Sequence, residues 1–213
     1  MALEQLRKRW EAMASPLVMG LGRTNPAFLT WLALPVGIAA SLLVLFAPKS
    51  DTGALMLMGS ALLIGFSMIL DGLDGQLARQ TGQVSRWGDY LDHTLDRLLD
   101  AMWVIAIASS PAWVDDPALG WAAAWFTILG SYMGTQAQAV SGGRNYKGFS
   151  RADRTILAIA ALAITGIFWL IGVQDYSAMP GMFEHLELSP LTAVVFISGL
   201  GGMYTFGIRF LQA

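Results

Sequence analysis

The stretch "DGLDGQLARQTGQVSRWGDYLDHTLDR" (71–97) follows a long apolar run, residues 54–70, that contains no charge. Five aspartates lie in it, at positions 71, 74, 89, 92 and 96. A carboxylate close to a lipid bilayer costs free energy, and ionisable residues there are usually functional. The cluster therefore predicts a function that requires these carboxylates.

The composition is that of an integral membrane protein. Of 213 residues, 55% are hydrophobic and only 13% are charged, whereas soluble domains carry roughly 25% charged residues. Cysteine is absent, which excludes a disulfide framework. The net charge of -2, without a basic stripe, argues against a nucleic-acid partner.

Six segments are candidates to cross a bilayer, which requires about 20 apolar residues of helix. The third is unusual because its first half carries aspartates and only "AMWVIAIAS" is apolar. We predict an all-α integral membrane protein, with residues 1–213 forming a single domain. The predicted spans are 27–47, 54–70 with a polar extension, 90–109, 119–140, 152–173 and 191–211.

The N-terminal segment 1–24 is predicted to be an amphipathic juxtamembrane helix. Leu3, Leu6, Trp10 and Met13 recur at helical spacing, opposite charged residues. Such a helix lies on the membrane surface. The alternative is a helix packed against the rest of the protein. Acidic residues interrupt the segment, so it does not resemble a signal peptide.

The loops predict the orientation in the cell membrane. Twelve of the 13 basic residues fall on one side of the six spans, and Lys49 alone falls on the other. The positive-inside rule then places both termini and the aspartate cluster in the cytoplasm. The connection 173–190, which contains Pro180 and Pro190, is predicted to be an external loop with a short helical turn.

The second and third spans are predicted to form an antiparallel hairpin that turns near Gly82. Asp74 and Asp92 then lie at one depth, and Asp71 and Asp96 at another. The spacings i,i+3 and i,i+4 put each pair on one helix face. Four adjacent carboxylates cannot all stay ionised without cations. Two Mg²⁺ or Mn²⁺ ions would balance their charge, and paired metals of this kind clamp phosphoryl groups.

Small residues line the same face. Gly75 and Ala78 follow Asp74, and Gly88 precedes the third span. A surface without bulk admits a flat or phosphorylated ligand, although small residues also serve close helix packing in membranes. Arg79 can hold phosphate oxygens with its planar fork.

The pattern D-x-x-D-G-x-x-A-R, eight residues, G-x-x-x-D-x-x-x-D runs from position 71 to 96 without a departure. It resembles the signature of the CDP-alcohol phosphotransferases. The resemblance implies transfer of a lipid phosphate from CDP-archaeol or CDP-diacylglycerol to a polar alcohol, with release of CMP, by a homodimer. It implies these roles: Asp71, Asp74, Asp92 and Asp96 as metal ligands, Asp96 also as general base, and Gly75, Ala78, Arg79, Thr81, Ser85 and Gly88 as the CDP-binding residues.

Residues 130–159 resemble a subgroup of that family, the archaetidylinositol phosphate synthases of archaea. The R-P-E-R element of its members is similar to the stretch from Arg151 to Arg154. The preferred acceptor is therefore myo-inositol phosphate, with its phosphate held by Arg144, Lys147, Arg151 and Arg154. Glycerol phosphate, serine or another alcohol remain alternatives, because Gly134 and Gln138 depart from the subgroup's pattern.

Two other classes of protein share part of this pattern. A membrane prenyltransferase would carry a second aspartate-rich motif, and the later spans contain none. A divalent-cation transporter would hold carboxylates near the bilayer midplane, in related halves of the chain. The roles of Asp89 and Asp100 stay open.

Overall fold

The computed structural model describes residues 14–22, 24–143 and 147–212. Its described part is all-helical, with six long helices and one short 3₁₀ turn at Gly181–Phe183. The long helices are α1 (Pro26–Leu45), α2 (Asp51–Thr81), α3 (Arg86–Ala108), α4 (Pro117–Ser141), α5 (Arg151–Leu170) and α6 (Pro190–Leu211).

Local sequence explains where each helix begins. A polar side chain precedes the first residue and accepts a hydrogen bond from a backbone N–H of the first turn, which stabilises a helix start. Before α5, Ser150 and Asp153 form a reciprocal capping box. The left-handed residues Gly82 and Gly142 end α2 and α4. The six capping residues are Asn25, Ser50, Ser85, Asp116, Ser150 and Ser189.

The packing order differs from a simple hairpin of α2 and α3. Helix α1 packs against both of them, α5 packs against α2, and α4 packs against α3 and α6. Helices α2 and α3 are joined by a short turn but do not pack along each other's length. The prediction of two facing helices was wrong in this respect, because α1 occupies the position between them.

Among the described residues, four helices are long and apolar enough to cross a membrane: α1, α2, α5 and α6. Helix α3 is not apolar enough because its first half is charged. Helix α4 is not apolar enough because its second half is rich in Gly, Ser, Thr and Gln. Helix α2 has 31 residues, about 46 Å of helix, and its first 20 already match a bilayer core of about 30 Å. The motif aspartates of α2, Asp71 and Asp74, therefore lie in its polar last third, whereas Asp51 is its first residue.

One contact marks the end of the bundle that carries the aspartate motif, which we call the motif end, and another marks the opposite end. At the motif end, Arg209 donates to the backbone oxygen of Lys147 at 2.9 Å. At the opposite end, Lys49 forms an ion pair with Glu187 at 3.1 Å. The loop between α5 and α6 contains the 3₁₀ turn, which confirms its predicted helical turn.

The N-terminal prediction is tested only in part. Residues 1–13 and Arg23 lie outside the described residues. Residues 14–20 are helical, and Ala14 and Val18 are buried in the hydrophobic core. This last part of the segment therefore packs against the rest of the protein, whereas a surface-lying amphipathic helix stays a prediction.

Helices α4 and α6 are in close contact at Gly202. A Cβ atom there would lie 2.6 Å from the carbonyl carbon of Phe126 on α4. Such a distance is sterically forbidden, so a side chain at this position would force the two helices apart.

We expect Gly202→Ala to lower the free energy of unfolding by about 1–3 kcal/mol, the usual cost of overpacking. Gly207→Ala, on the same helix, is the matched control because no atom lies within 4 Å of its added Cβ. That control should be neutral or gain about 0.5–1 kcal/mol from helix propensity. Thermal unfolding of both variants in one detergent measures the difference. A Gly202→Ala protein as stable as the Gly207→Ala protein would contradict the close contact.

Candidate active site

The structure brings the four motif aspartates together at one end of the bundle. Asp71 and Asp74 lie on α2, and Asp92 and Asp96 lie on α3. The carboxylate of Asp71 is in direct contact with those of Asp92 and Asp96. Asp74 is 5% exposed and lies close enough to Asp71 and Asp92 to interact with their charges. The predicted convergence of these carboxylates is confirmed.

The turn between α2 and α3 explains the convergence. Gly82 adopts φ 69°, which a residue without Cβ tolerates, and Ser85 caps α3 by accepting from the Gly88 N–H at 3.0 Å. The two helices diverge from this turn, and a cleft of about 440 Å³ lies between them and the start of α1, which contributes Pro26 and Thr30 to its lining. That volume is typical of pockets for small ligands. We call it the α2–α3 cleft.

Five of the six residues predicted to bind CDP line the α2–α3 cleft. They are Gly75, Ala78, Arg79, Ser85 and Gly88. A Cβ atom at Gly75 would meet only the guanidinium of Arg79, its nearest atom 3.2 Å away. Glycine therefore leaves room for a ligand beside this cation.

Two other side chains in this region differ from the prediction. Thr81 is not among the described residues that line the cleft, and its Oγ1 donates to the Leu77 carbonyl at 2.7 Å. Trp87 does line it, and its exposed ring stacks on Tyr90 with ring centroids 5.6 Å apart. Sequence reasoning missed Trp87 because it falls in the variable eight-residue segment of the motif.

Thr30 of α1 holds Asp74 in place. Its Oγ1 donates to Asp74 Oδ2 at 2.5 Å, and the residue is 7% exposed. Because α1 packs against both α2 and α3, this bond ties the carboxylate to a third helix. Sequence alone gave Thr30 no role, since the two residues are 44 positions apart.

Arg151, the first residue of α5, lies within the carboxylate cluster. Its Nη1 is 2.8 Å from Asp71 Oδ2, and its Nη2 is 2.8 Å from Asp96 Oδ1. One guanidinium therefore bridges α2 and α3. Charge-assisted bonds of this length are strong, and the arginine offsets repulsion between the carboxylates.

The other residues predicted to hold the acceptor phosphate lie differently. Arg154 is 7% exposed, and its Nη1 and Nη2 donate to the Phe149 carbonyl and to Asp100. Its guanidinium is therefore buried and hydrogen-bonded to other residues of the protein, so it does not face the carboxylate cluster as Arg151 does. Lys147 is exposed on the loop before α5, and Arg144 is outside the described residues.

The donor set fits a hard divalent cation. Carboxylate oxygens are the ligands that Mg²⁺ and Mn²⁺ prefer. Asp92, His93 and Asp96 each offer one ligand atom, and these atoms lie within 4.8 Å of one another. His93 was not predicted as a candidate ligand, although it directly follows a motif aspartate.

A second groove, of about 510 Å³, lies between α2 and α5. Asp71 and Arg151 line its polar part, and Met68, Ile69 and Ile159 contribute apolar wall. Asp71 lies with its neighbouring carboxylates between this groove and the α2–α3 cleft. A ligand can therefore approach the carboxylates from either side of α2.

The family model of the CDP-alcohol phosphatidyltransferases matches residues 23–178. The chain belongs to this family. It is therefore a transferase, and together with its four apolar helices this indicates a multi-pass membrane protein. The resemblance found in the motif is confirmed.

Two relatives of named function are similar to the chain over different lengths. The phosphatidylinositol phosphate synthase of Cutibacterium acnes is 30% identical over 212 residues, which cover 95% of this chain and 93% of that protein. The archaetidylinositol phosphate synthase of Pyrococcus horikoshii is 42% identical over 74 residues, covering 35% of this chain and 36% of that protein.

Solved structures show the same fold. The Mycobacterium tuberculosis phosphatidylinositol phosphate synthase with CDP-DAG bound gives a TM-score of 0.69 at 21% identity. The match covers 94% of this chain and 92% of that one. A structure of the same synthase with manganese and citrate gives a TM-score of 0.67 at 22% identity, covering 92% and 87%.

We expect Thr30→Val to weaken Mn²⁺ binding by about 10- to 100-fold, the usual effect of losing a residue that orients a metal ligand. Valine keeps the shape of threonine but cannot donate to Asp74. Thr30→Ser keeps the hydroxyl and is the matched control. Mn²⁺ titration of the purified CDP-alcohol phosphatidyltransferase by electron paramagnetic resonance measures both affinities. Equal affinity in the valine variant and the wild type would contradict this role of Thr30.

Proposed function

We propose that this enzyme transfers a phosphatidyl or archaetidyl group from a CDP-linked lipid to a phosphorylated alcohol and releases CMP. The preferred acceptor is myo-inositol phosphate. The observation that carries the proposal is the position of Arg151, a cation whose Nη groups contact Asp71 and Asp96. The names of the Cutibacterium and Pyrococcus relatives support the same acceptor.

In this proposal the CDP group of the donor occupies the α2–α3 cleft. Gly75 and Ala78 leave room for it, and the Arg79 guanidinium holds the diphosphate. Gly88 and Ser85 border the nucleotide. Thr81 stabilises the end of α2 next to them through its hydrogen bond to the Leu77 carbonyl. The donor's lipid chains stay in the bilayer, which explains why an enzyme that acts on a polar diphosphate is built from membrane helices.

Asp71, Asp74, Asp92 and Asp96 would hold the divalent cations, Mg²⁺ or Mn²⁺, with two ions expected. The four carboxylates converge, and the related Mycobacterium synthase has been crystallised with manganese. When bound, such ions neutralise the negative charge that develops on a diphosphate during phosphoryl transfer.

The protein's own residues then perform the transfer. Asp96 accepts the proton of the acceptor's hydroxyl group, and that oxygen attacks the lipid-side phosphorus. The bond between this phosphorus and the CMP oxygen breaks, and CMP leaves with the electron pair. Arg79 stabilises the charge that develops on the diphosphate. Arg151, whose Nη2 already lies next to Asp96, binds the acceptor's own phosphate and so brings the hydroxyl close to that carboxylate.

We also propose the membrane arrangement: one domain over residues 1–213, six spans, and a homodimer in the cell membrane. Helices α3 and α4 would be the two additional spans, shielded by their neighbours. Both termini and the carboxylates would be cytoplasmic. The separation of Lys49 from the motif end supports this orientation, since the other basic residues belong to the motif side of the chain.

The function is tested by CMP release from purified protein supplied with CDP-diacylglycerol or CDP-archaeol. Myo-inositol phosphate, glycerol phosphate, inositol, serine and glycerol are offered in parallel. We expect release with a phosphorylated acceptor and loss of activity in excess EDTA. Turnover only with serine or an uncharged alcohol would contradict the acceptor assignment. A divalent-cation transporter, the alternative of another class, would release no CMP.

Asp96→Asn should lower turnover by about 10²–10⁴-fold, the range usual for loss of a general base. Binding of the CDP-lipid should stay close to that of the wild type, because the substitution removes the proposed base and one metal contact and leaves the other three carboxylates in place. Asp71→Asn is the comparison variant and should weaken nucleotide binding too, since its carboxylate contacts two of the other three. More than about a tenth of wild-type turnover in Asp96→Asn would refute the assignment of the base.

Arg151→Ala should raise the KM for the acceptor by roughly tenfold to more than a hundredfold, with little change in the KM for the donor. A charge-assisted contact to phosphate contributes about 1.5–3 kcal/mol. Arg151→Lys keeps the charge but loses the fork, so an intermediate acceptor KM is expected. Steady-state kinetics with each substrate varied separately measures the split. An equal rise in both KM values would contradict an acceptor-specific role.

A further inference from the structure

Asp100 is a buried carboxylate that the proposed reaction does not use. It lies on α3, one helical turn after Asp96, and its side chain is 4% exposed. Oδ1 accepts from Arg151 Nε at 3.2 Å, and Oδ2 accepts from Arg154 Nη2 at 3.0 Å. A carboxylate this deeply buried is costly unless it is paired. Its two partners on α5 provide that pairing.

The bond to Asp100 fixes the direction in which Arg151 points. A guanidinium is planar, with its five N–H groups in a rigid arrangement. When Asp100 holds the Nε edge, the two Nη groups face Asp71 and Asp96, each at 2.8 Å. Without this anchor, the long arginine side chain gains rotamers that withdraw its fork from the carboxylate cluster.

Arg154 in turn fixes Asp100. Its Nη1 donates to the Phe149 carbonyl at 3.1 Å, and the Phe149 N–H donates to Thr205 Oγ1 on α6 at 2.8 Å. The carboxylate is therefore held from α5, from the loop before α5 and, through that loop, from α6. These hydrogen bonds hold Asp100 against α5. Of its two arginine partners, Arg151 is the one that also contacts Asp71 and Asp96.

We infer that Asp100 is a positioning residue for the acceptor's anionic group, and that it acts through Arg151. The inference rests on the proposed function, in which Arg151 holds the acceptor's phosphate. Asp100 does not touch the substrate. It holds the guanidinium of Arg151 in an orientation in which a phosphate next to Asp96 can accept hydrogen bonds from both Nη groups. The expected consequence is a specific weakening of acceptor binding when the Asp100 carboxylate is neutralised.

The test is a double-mutant cycle between Asp100→Asn and Arg151→Ala, measured as KM for myo-inositol phosphate and for CDP-diacylglycerol. Asp100→Asn alone should raise the acceptor KM about tenfold or more and change the donor KM less than about threefold. In the Arg151→Ala background, Asp100→Asn should have no further effect, because residues that act in one network are not additive. Additive effects, or equal effects on both KM values, would overturn the inference.

Neutralising Asp100 leaves two buried arginines without their carboxylate partner, and such unpaired buried charges can prevent folding. The variant Asp100→Asn with Arg154→Gln removes one negative and one positive charge together and guards against this outcome. It should fold and still show the raised acceptor KM, whereas Arg154→Gln alone should show a smaller rise. A wild-type acceptor KM in the paired variant would overturn the inference.

The outcomes separate this inference from the proposed function. Should Arg151→Ala leave the acceptor KM unchanged, the acceptor site itself is wrong and the positioning role falls with it. Should Arg151→Ala raise the acceptor KM while Asp100→Asn and the paired variant do not, only the role of Asp100 is overturned.

Discussion

Repulsion between adjacent carboxylates is the constraint on which the rest of the structure depends. Asp71 contacts both Asp92 and Asp96, and like charges at such distances are unfavourable unless positive charge or hydrogen-bond donors offset them. The protein provides both from other helices: the Arg151 guanidinium from α5 and the Thr30 hydroxyl from α1. The packing of α1 and α5 against α2 therefore belongs to the site as much as the motif does.

The same constraint shapes the α2–α3 cleft. A short turn brings the carboxylates together, yet the helices must diverge if a ligand is to reach them. Helix α1 packs against both and keeps them apart, while Gly75 leaves the wall of the cleft without bulk. The opening therefore results from helix packing, and the small residues preserve it.

Helix α3 shows how a charged segment is accommodated in an apolar bundle. It contacts α1, α4, α5 and α6, and its fully buried residues belong mostly to its second half, from Leu95 to Ala108. Asp100 is buried between two arginines of α5, which compensates a carboxylate deep in the bundle. Helix α3 therefore packs against four other helices although it is not among the four apolar enough to cross a membrane.

The sequence was sufficient for features that depend on local spacing. The motif from 71 to 96, the turn near Gly82 and the family could all be predicted, because each depends on residues within a few turns of one another. The four aspartates were found for the same reason. Two helices joined by four residues bring the positions near their shared turn together, although α1 separates the helices further along.

The tertiary structure alone decided which basic residues face the carboxylates. Arg151 and Arg154 are three residues apart on one helix and look equivalent in the sequence, but Arg151 reaches Asp71 and Asp96 while Arg154 is buried against Phe149 and Asp100. The hydrogen bond from Thr30 to Asp74 could not be predicted for the same reason. Side chains distant in sequence meet only when helices pack, and the angle and depth of packing depend on the whole set of buried contacts rather than on any local pattern.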